Sequence, residues 1–320
     1  MCDKQLNSDN ISSLNTNNLL NDIVQNFDKI NIKEVEPTNI FEGDLNIITD
    51  ELINFIFNEL NDDEELLKFH VLNYIYNQKI NMQKIYNWLL NNQHNSNSIC
   101  LLGYFNYHGI EVGVNKQRAL ELFQKAAELE NNVAQLHLVN IYIYGKSAFK
   151  NYNEAFKLSN KLAEKGIPNA INNLGWCYEH GIGVDANGEK AFELYQKAAD
   201  LGSSDGISNL GLCYDKGIGT NVNKLKAFEL YQKAADLGSL DGINNLGWCY
   251  EMGSGTNVNS QKAFELYCIA ANMGYKYSQY NLAKMYETKG DLDQAIYWYN
   301  KSSEQGYFYA DNKLMELTKK

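Results

Sequence analysis

The sequence predicts an all-α chain, a right-handed α/α superhelix (solenoid) of tandem helix-turn-helix repeats. Three observations lead there. The same residues return every 36 positions. Within each period the apolar residues follow helical spacing. Proline occurs only twice in 320 residues, at Pro37 and Pro168, as suits a chain of helices, because proline breaks helix interiors. The period shows as five ladders in phase. The first reads Leu102-Gly103, Leu138-Val139, Leu174-Gly175, Leu210-Gly211, Leu246-Gly247, Leu282-Ala283. The second is small: Ser98, Ala134, Ala170, Gly206, Gly242, Ser278. The third is aromatic, at Tyr142, Tyr178, Tyr214, Tyr250 and Tyr286, with Asn106 as the exception. The last two are glycine (Gly109, Gly145, Gly181, Gly217, Gly253) and alanine (Ala119, Ala155, Ala191, Ala227, Ala263). The sixth repeat is four residues shorter, which brings its alanine forward to Ala295.

Each period has the same logic. In the third, Ala170, Leu174 and Tyr178 fall at i, i+4, i+8, one stripe of an amphipathic helix A. Gly181-Ile182-Gly183 ends it, where glycine accepts a left-handed backbone. Helix B follows with Ala191, Tyr195, Ala198 and Ala199 on one face, and Gly202 ends it. No single pair can bury its stripes alone, so the pairs must stack.

The pattern Leu-Gly-x-x-Tyr-x-x-Gly-x-Gly, then Lys-Ala-x-x-x-Tyr-x-Lys-Ala-Ala-x-x-Gly, resembles the Sel-1-like repeat, a relative of the tetratricopeptide repeat. Its best copies are Leu174 to Gly202 and Leu210 to Gly238. The resemblance covers roughly residues 98–306 as six repeats, phased 98–133, 134–169, 170–205, 206–241, 242–277 and 278–309. Two copies depart from it. Gly145-Lys146-Ser147-Ala148 lacks the second glycine and Ser159 replaces the helix-B aromatic, while Glu111 stands for that glycine in the first repeat. The resemblance implies a protein-protein interaction scaffold or adaptor in signalling or complex assembly. It leaves open a regulatory fragment of a kinase-associated signalling protein, although no kinase motif is present.

An array needs caps. Ile47 to Leu60, Glu64 to Tyr76 and Met82 to Leu90 read as three apolar-rich helices within an N-terminal capping region, 46–97. A capping helix is expected in 307–320, with Ala310, Leu314 and Met315 inward and Asp311, Asn312 and Lys313 toward water. Residues 1–45, rich in Asn and Ser, read as a mobile tail with room for a short helix at Leu19 to Ile30.

Composition narrows the function. The net charge of −11 lacks the basic footprint that nucleic acid requires and disfavours an anionic membrane. No apolar run is long enough to span a bilayer, and the N-terminus has no secretory h-region. The expectation is a cytoplasmic chain with no nucleic-acid or membrane partner, no cofactor and no catalytic activity.

The groups that might carry chemistry read as structural. Cys177, Cys213 and Cys249 stand one repeat apart. Packed helices lie about 8–10 Å apart, beyond the about 7 Å between Cα atoms that a disulfide tolerates, so these thiols are expected to be buried, reduced and metal-free. Cys2, Cys100 and Cys268 show no pairing pattern. Gly145-Lys146-Ser147 ends like a phosphate loop, but Asn140 occupies the required first glycine. The five histidines, His70, His94, His108, His137 and His180, form no metal motif and are expected mostly at the surface or in the caps. Ile171 to Glu179 and Ile243 to Glu251 are the same nine residues. Catalysis needs different groups converging on one place, whereas identical segments in a row make a periodic surface that suits an extended ligand.

That surface is expected opposite the buried stripe of helix A. At 100° per residue it holds Asn172, Trp176 and Glu179, then Ser208, Leu212 and Asp215, then Asn244, Trp248 and Glu251, and finally Tyr280, Lys284 and Glu287. Asn173, Asn209, Asn245 and Asn281 flank it. In tetratricopeptide-type folds helix A lines a concave groove, which the resemblance carries over. The expected partner is a protein or peptide bearing Lys or Arg, held by indoles and carboxylates. The competing reading makes the asparagines inter-repeat bonds and the tryptophans packing groups. The helix-B pairs Glu121/Lys125, Glu193/Lys197 and Glu229/Lys233 have favourable i,i+4 spacing for a solvated outer face.

Overall fold

The computed structural model describes residues 42–59, 64–145 and 147–317. These form sixteen α-helices and one short 3₁₀ turn, with no strand among the described residues. They fall into two compact units, divided between Ser203 and Ser204.

The first unit opens with α1 (Glu42–Glu59), α2 (Glu64–Asn77) and α3 (Met82–Asn91). Helix α1 starts inside the stretch assigned to the tail. It buries Leu45, Leu52, Ile53 and Ile56 and packs mainly on α4. The rest of the assigned tail, including Leu19 to Ile30, lies outside the described residues. Three A/B pairs follow: α4 (Ser96–His108) with α5 (Lys116–Glu128), α6 (Asn132–Tyr144) with α7 (Tyr152–Glu164), and α8 (Pro168–His180) with α9 (Gly188–Asp200). The second unit continues with α10 (Ser204–Lys216) and α11 (Lys224–Asp236), α12 (Leu240–Met252) and α13 (Ser260–Asn272), and α14 (Lys276–Thr288) and α15 (Leu292–Glu304). Helix α16 (Phe308–Leu317) closes it.

Local chemistry sets these boundaries. Every helix B begins at a short polar residue: Asn115, Asn151, Asn187, Asn223, Asn259 or Asp291. Each side chain accepts the backbone N–H three residues on, at 2.9–3.2 Å. Such a cap stabilises a helix by about 1 kcal/mol. The second loop glycine is required twice over. Gly183 and Gly255 have φ of +67° and +70°, and a Cβ there would lie 2.3 and 2.2 Å from the carbonyl oxygens of Tyr152 and Lys224. Glu111, in the same place in the first repeat, takes the left-handed backbone without glycine, at φ 57°. The second repeat abandons the turn: Gly145 is extended (φ −60°, ψ 170°) and the 3₁₀ turn Ser147–Phe149 follows.

All six ladder leucines are buried, none more than 5% exposed. The glycine after the leucine makes room for helix B. A Cβ on Gly175 would lie 2.8 Å from the Tyr195 ring, and one on Gly247 2.8 Å from the Tyr267 ring. The ladder tyrosines sit edge-on to phenylalanines of the preceding helix B, Phe156 to Tyr178 at 5.7 Å and Phe228 to Tyr250 at 5.5 Å. Lys190 and Lys262 lie 5.0 Å over those same tyrosines.

Two expectations need correction. On α16, Ala310 is buried, but Met315 points out at 56% exposure, because no helix B covers it among the described residues. Asp311 accepts a hydrogen bond from Ser303, and Lys313 pairs with Glu287 at 3.4 Å and Glu316 at 3.2 Å, so neither is given over to water. On helix B, none of the three i,i+4 pairs forms. Glu121 meets Arg118 at 3.2 Å instead, since exposed pairs are too weak to hold one geometry.

Candidate protein-binding surface

The strip opposite the ladder leucines is narrower than its sequence suggests. Asn172, Ser208 and Asp215 are buried. Asn173, Trp176, Glu179, Asn209, Leu212, Asn244, Asn245, Trp248, Glu251, Tyr280 and Asn281 are half-buried, and none of the fourteen residues is fully exposed. The cause is packing on more than one side. In the second unit, α12 meets α10 as well as α11 and α13, leaving only a thin arc open.

The asparagine ladder joins repeats. Asn281 donates to Asn244 at 3.0 Å, as does the Ser278 hydroxyl, and Asn244 donates to Asn245 at 3.4 Å. In the first unit Asn173 donates to Asn140 at 3.4 Å. An amide satisfied in this way holds register.

The acidic row is also engaged. The Tyr195 hydroxyl donates to Glu179 at 2.7 Å, Tyr267 to Glu251 at 2.8 Å and Tyr299 to Glu287 at 2.7 Å. Each bond ties the end of helix A to the helix B of its own repeat. Burial, then the neighbouring Glu251 charge, pushes the Tyr267 hydroxyl well above the ordinary phenol range, so it stays a donor. Asp215, 3% exposed, takes two lysines instead, Lys224 at 2.8 Å and Lys216 at 3.3 Å.

Sequence reading missed these pairs, although a signal was present. A carboxylate and a helix-B tyrosine occur together in repeats three to six. Repeats one and two lack both, with Tyr107 and Phe123 in one and Ile143 and Ser159 in the other.

The two indoles differ. Trp248 has Lys216 at 5.5 Å over its ring, so the cation expected from a partner is already supplied by the chain. Trp176 stacks on His180 at 3.8 Å and leans on Tyr144 at 6.0 Å.

Three of the five histidines lie as expected, His70 and His94 in the capping region and His180 exposed, and the other two do not. His108 and His137 are buried. His137 stacks on Phe123 at 4.8 Å, and His108 lies 4.2 Å from the Tyr104 ring. Burial pulls His108 down to about 3, helped by His137, Lys68 and Lys116, and pulls His137 down to about 4. Both are therefore neutral packing groups at neutral pH.

The three ladder cysteines are fully buried. Burial pushes Cys177 up to about 11 and Cys249 to about 12, which keeps those thiols protonated and unreactive. Cys2 lies outside the described residues. Among the described residues no three His, Cys, Asp or Glu gather to hold a metal, and no helix is long and apolar enough to cross a membrane.

The Sel1 repeat model matches six tandem segments, 96–131, 132–167, 168–203, 204–239, 240–275 and 276–307. The chain belongs to the Sel1 repeat family. Each matched segment opens within a residue or two of a helix A. A Sel1 repeat protein from Oxalobacter formigenes is 25% identical over 75% of this chain and 97% of its own, with a TM-score of 0.57. A protective antigen from uropathogenic Escherichia coli strains, displaying an SLR fold, is 28% identical over 79% of this chain and 56% of its own, with a TM-score of 0.48. No curated protein matches the chain. Sel1 repeat proteins are generally protein-interaction scaffolds, and the fold is typically non-enzymatic.

Proposed function

We propose that this Sel1 repeat chain is a scaffold or adaptor for complex assembly that holds an extended segment of a protein partner along the open arc of its A helices. The observation that carries this reading is repetition. Each unit presents one copy of the same nine residues, Ile171 to Glu179 and Ile243 to Glu251, with a half-buried tryptophan at its centre. An extended peptide backbone can meet each copy with the same contacts. Glu179 and Glu251 each commit one oxygen to a tyrosine; the other oxygen of Glu251 is available to a partner's Lys or Arg, while that of Glu179 has His180 at 3.9 Å. Because Lys216 already lies over Trp248, the partner side chain that reaches this indole is apolar or aromatic, with the cation set toward Glu251.

Selection from a displayed random-peptide library against the purified chain tests this. Enriched peptides should combine a basic residue with an apolar one and bind more weakly as salt rises. Trp248→Ala should reduce their binding tenfold or more while circular dichroism stays unchanged. Enrichment that survives Trp176→Ala with Trp248→Ala, or loss of binding only in step with melting, would remove the tryptophans from the reading.

A further inference from the structure

Helix α16 leaves an aromatic face open at the end of the array. Phe308, Tyr309 and Met315 are 66%, 59% and 56% exposed. Phe308 and Met315 are seven residues apart, two turns on one stripe, with Asn312 between them. The rings continue from there. Phe308 meets Tyr309 at 5.9 Å, Tyr309 meets Tyr307 at 5.5 Å, and Tyr307 meets Tyr277 at 5.2 Å and Tyr280 at 5.1 Å. A contiguous exposed patch of this kind marks an interaction site, unlike single scattered apolar residues.

Met315 stands where Gly175, Gly211 and Gly247 stand in earlier repeats, and a tyrosine ring of helix B fills the space a Cβ would take there. Val139 and Ala283 hold this position in the second and sixth repeats and their B helices still pack there, so a methionine crowds that docking more than any earlier repeat does.

Charge favours a second copy. The chain carries −11, yet residues 276–317 hold six carboxylates against five lysines. Two copies meeting at this end bring almost no net charge together, whereas elsewhere the acidic surface opposes self-association. The stripe is also self-complementary. With two α16 helices antiparallel about a twofold axis at Asn312, Phe308 of each faces Met315 of the other. Thioether–aromatic contacts are favourable, and two asparagine amides can pair as donor and acceptor. Lys313 and Glu316 flank the stripe with both signs.

We propose that α16 is a homodimer interface, an isologous contact in which Phe308, Asn312 and Met315 pair with the same residues of a second copy.

Sedimentation equilibrium of the full chain from micromolar to submillimolar concentration tests it. The mass should climb from 36.5 kDa toward twice that value. Met315→Lys should stay monomeric across the range with unchanged circular dichroism and melting, because residue 315 is exposed; Phe308→Lys repeats the reading should the first variant misfold. Asn312→Cys should form a disulfide-linked dimer under mild oxidation where the wild type does not. A wild type that remains at monomer mass at the highest concentration overturns the proposal, and so does a Met315→Lys chain that dimerises normally. A doubling of mass with no cross-link at residue 312 overturns the twofold arrangement.

Discussion

Repeats one and two and the later repeats fill the same space between helix A and helix B with different chemistry. In repeats three, five and six a helix-B tyrosine donates to a carboxylate at the end of helix A. In the first repeat Phe123 takes the tyrosine's place, and His137, from the ladder position that is asparagine later, stacks on it. The contrast separates what the fold requires from what it tolerates. The leucine and the small residue are buried in all six repeats. The polar bond across the helix pair is optional.

The largest expected effect lies where the two regions agree. Leu210→Ala and Leu138→Ala should each cost about 2–5 kcal/mol, as for a buried leucine, measured by urea unfolding. A loss under about 0.5 kcal/mol at either would show that the ladder is not core there.

The next effect should appear only in the first region. His108 and His137 are held neutral, with folded values of about 3 and about 4 against an ordinary 6.5. As pH falls through 6.5 the unfolded chain binds protons that the folded chain refuses. Stability is therefore lost progressively from pH 6.5 down to about 4 for His137 and about 3 for His108. Melting followed between pH 7 and pH 5 should show this decline, and His137→Phe should flatten it. An unchanged slope in that variant would place the acid sensitivity elsewhere.

The tyrosine–carboxylate bond should be worth less. Tyr267→Phe and Glu251→Gln should each cost about 1 kcal/mol, and their double-mutant cycle should return a coupling of about 0.5–1.5 kcal/mol. Additive losses would mean that the bond contributes nothing beyond packing. Smallest of all, Glu229→Gln should change melting by less than the error of a scan, since its side chain makes no ion pair with Lys233 and exposed pairs contribute little.

The fold was readable because the period repeats six times. Any one leucine or glycine is ambiguous, but a position kept in phase reports its burial, as Leu102 to Leu282 show. The strip was harder. A helical wheel treats each helix as having one buried side, whereas α12 has neighbours on both flanks and its own helix B behind. That buries Ser208 and Asp215 on α10 and half-buries Trp248. The consequence for Asp215 lay in lysines nine residues and one residue away, which no wheel connects. The burial of His108 and His137 was missed for the opposite reason. They lie where the repeat departs from its pattern, and only three-dimensional proximity shows that Phe123 and Tyr104 make an aromatic box around them.

The identical segments bear on how the chain finds its native pairing during folding. Helices α8 and α12 share nine residues, and Ala191 to Gly202, most of α9 and the turn after it, repeats as Ala227 to Gly238 at α11. Seated on α11, α8 would find the same tyrosine facing the same glycine. Contact chemistry alone hardly separates the right partner from the wrong one. The loop does. Seven residues join α8 to α9, whereas 43 separate α8 from α11. Closing the longer loop costs about 1.6 kcal/mol more, roughly a fifteenfold bias. In this chain the brevity of its turns keeps the helices from pairing one repeat out of step, and lengthening the Gly181–Asn187 turn with a flexible insert should raise the share of slowly refolding molecules.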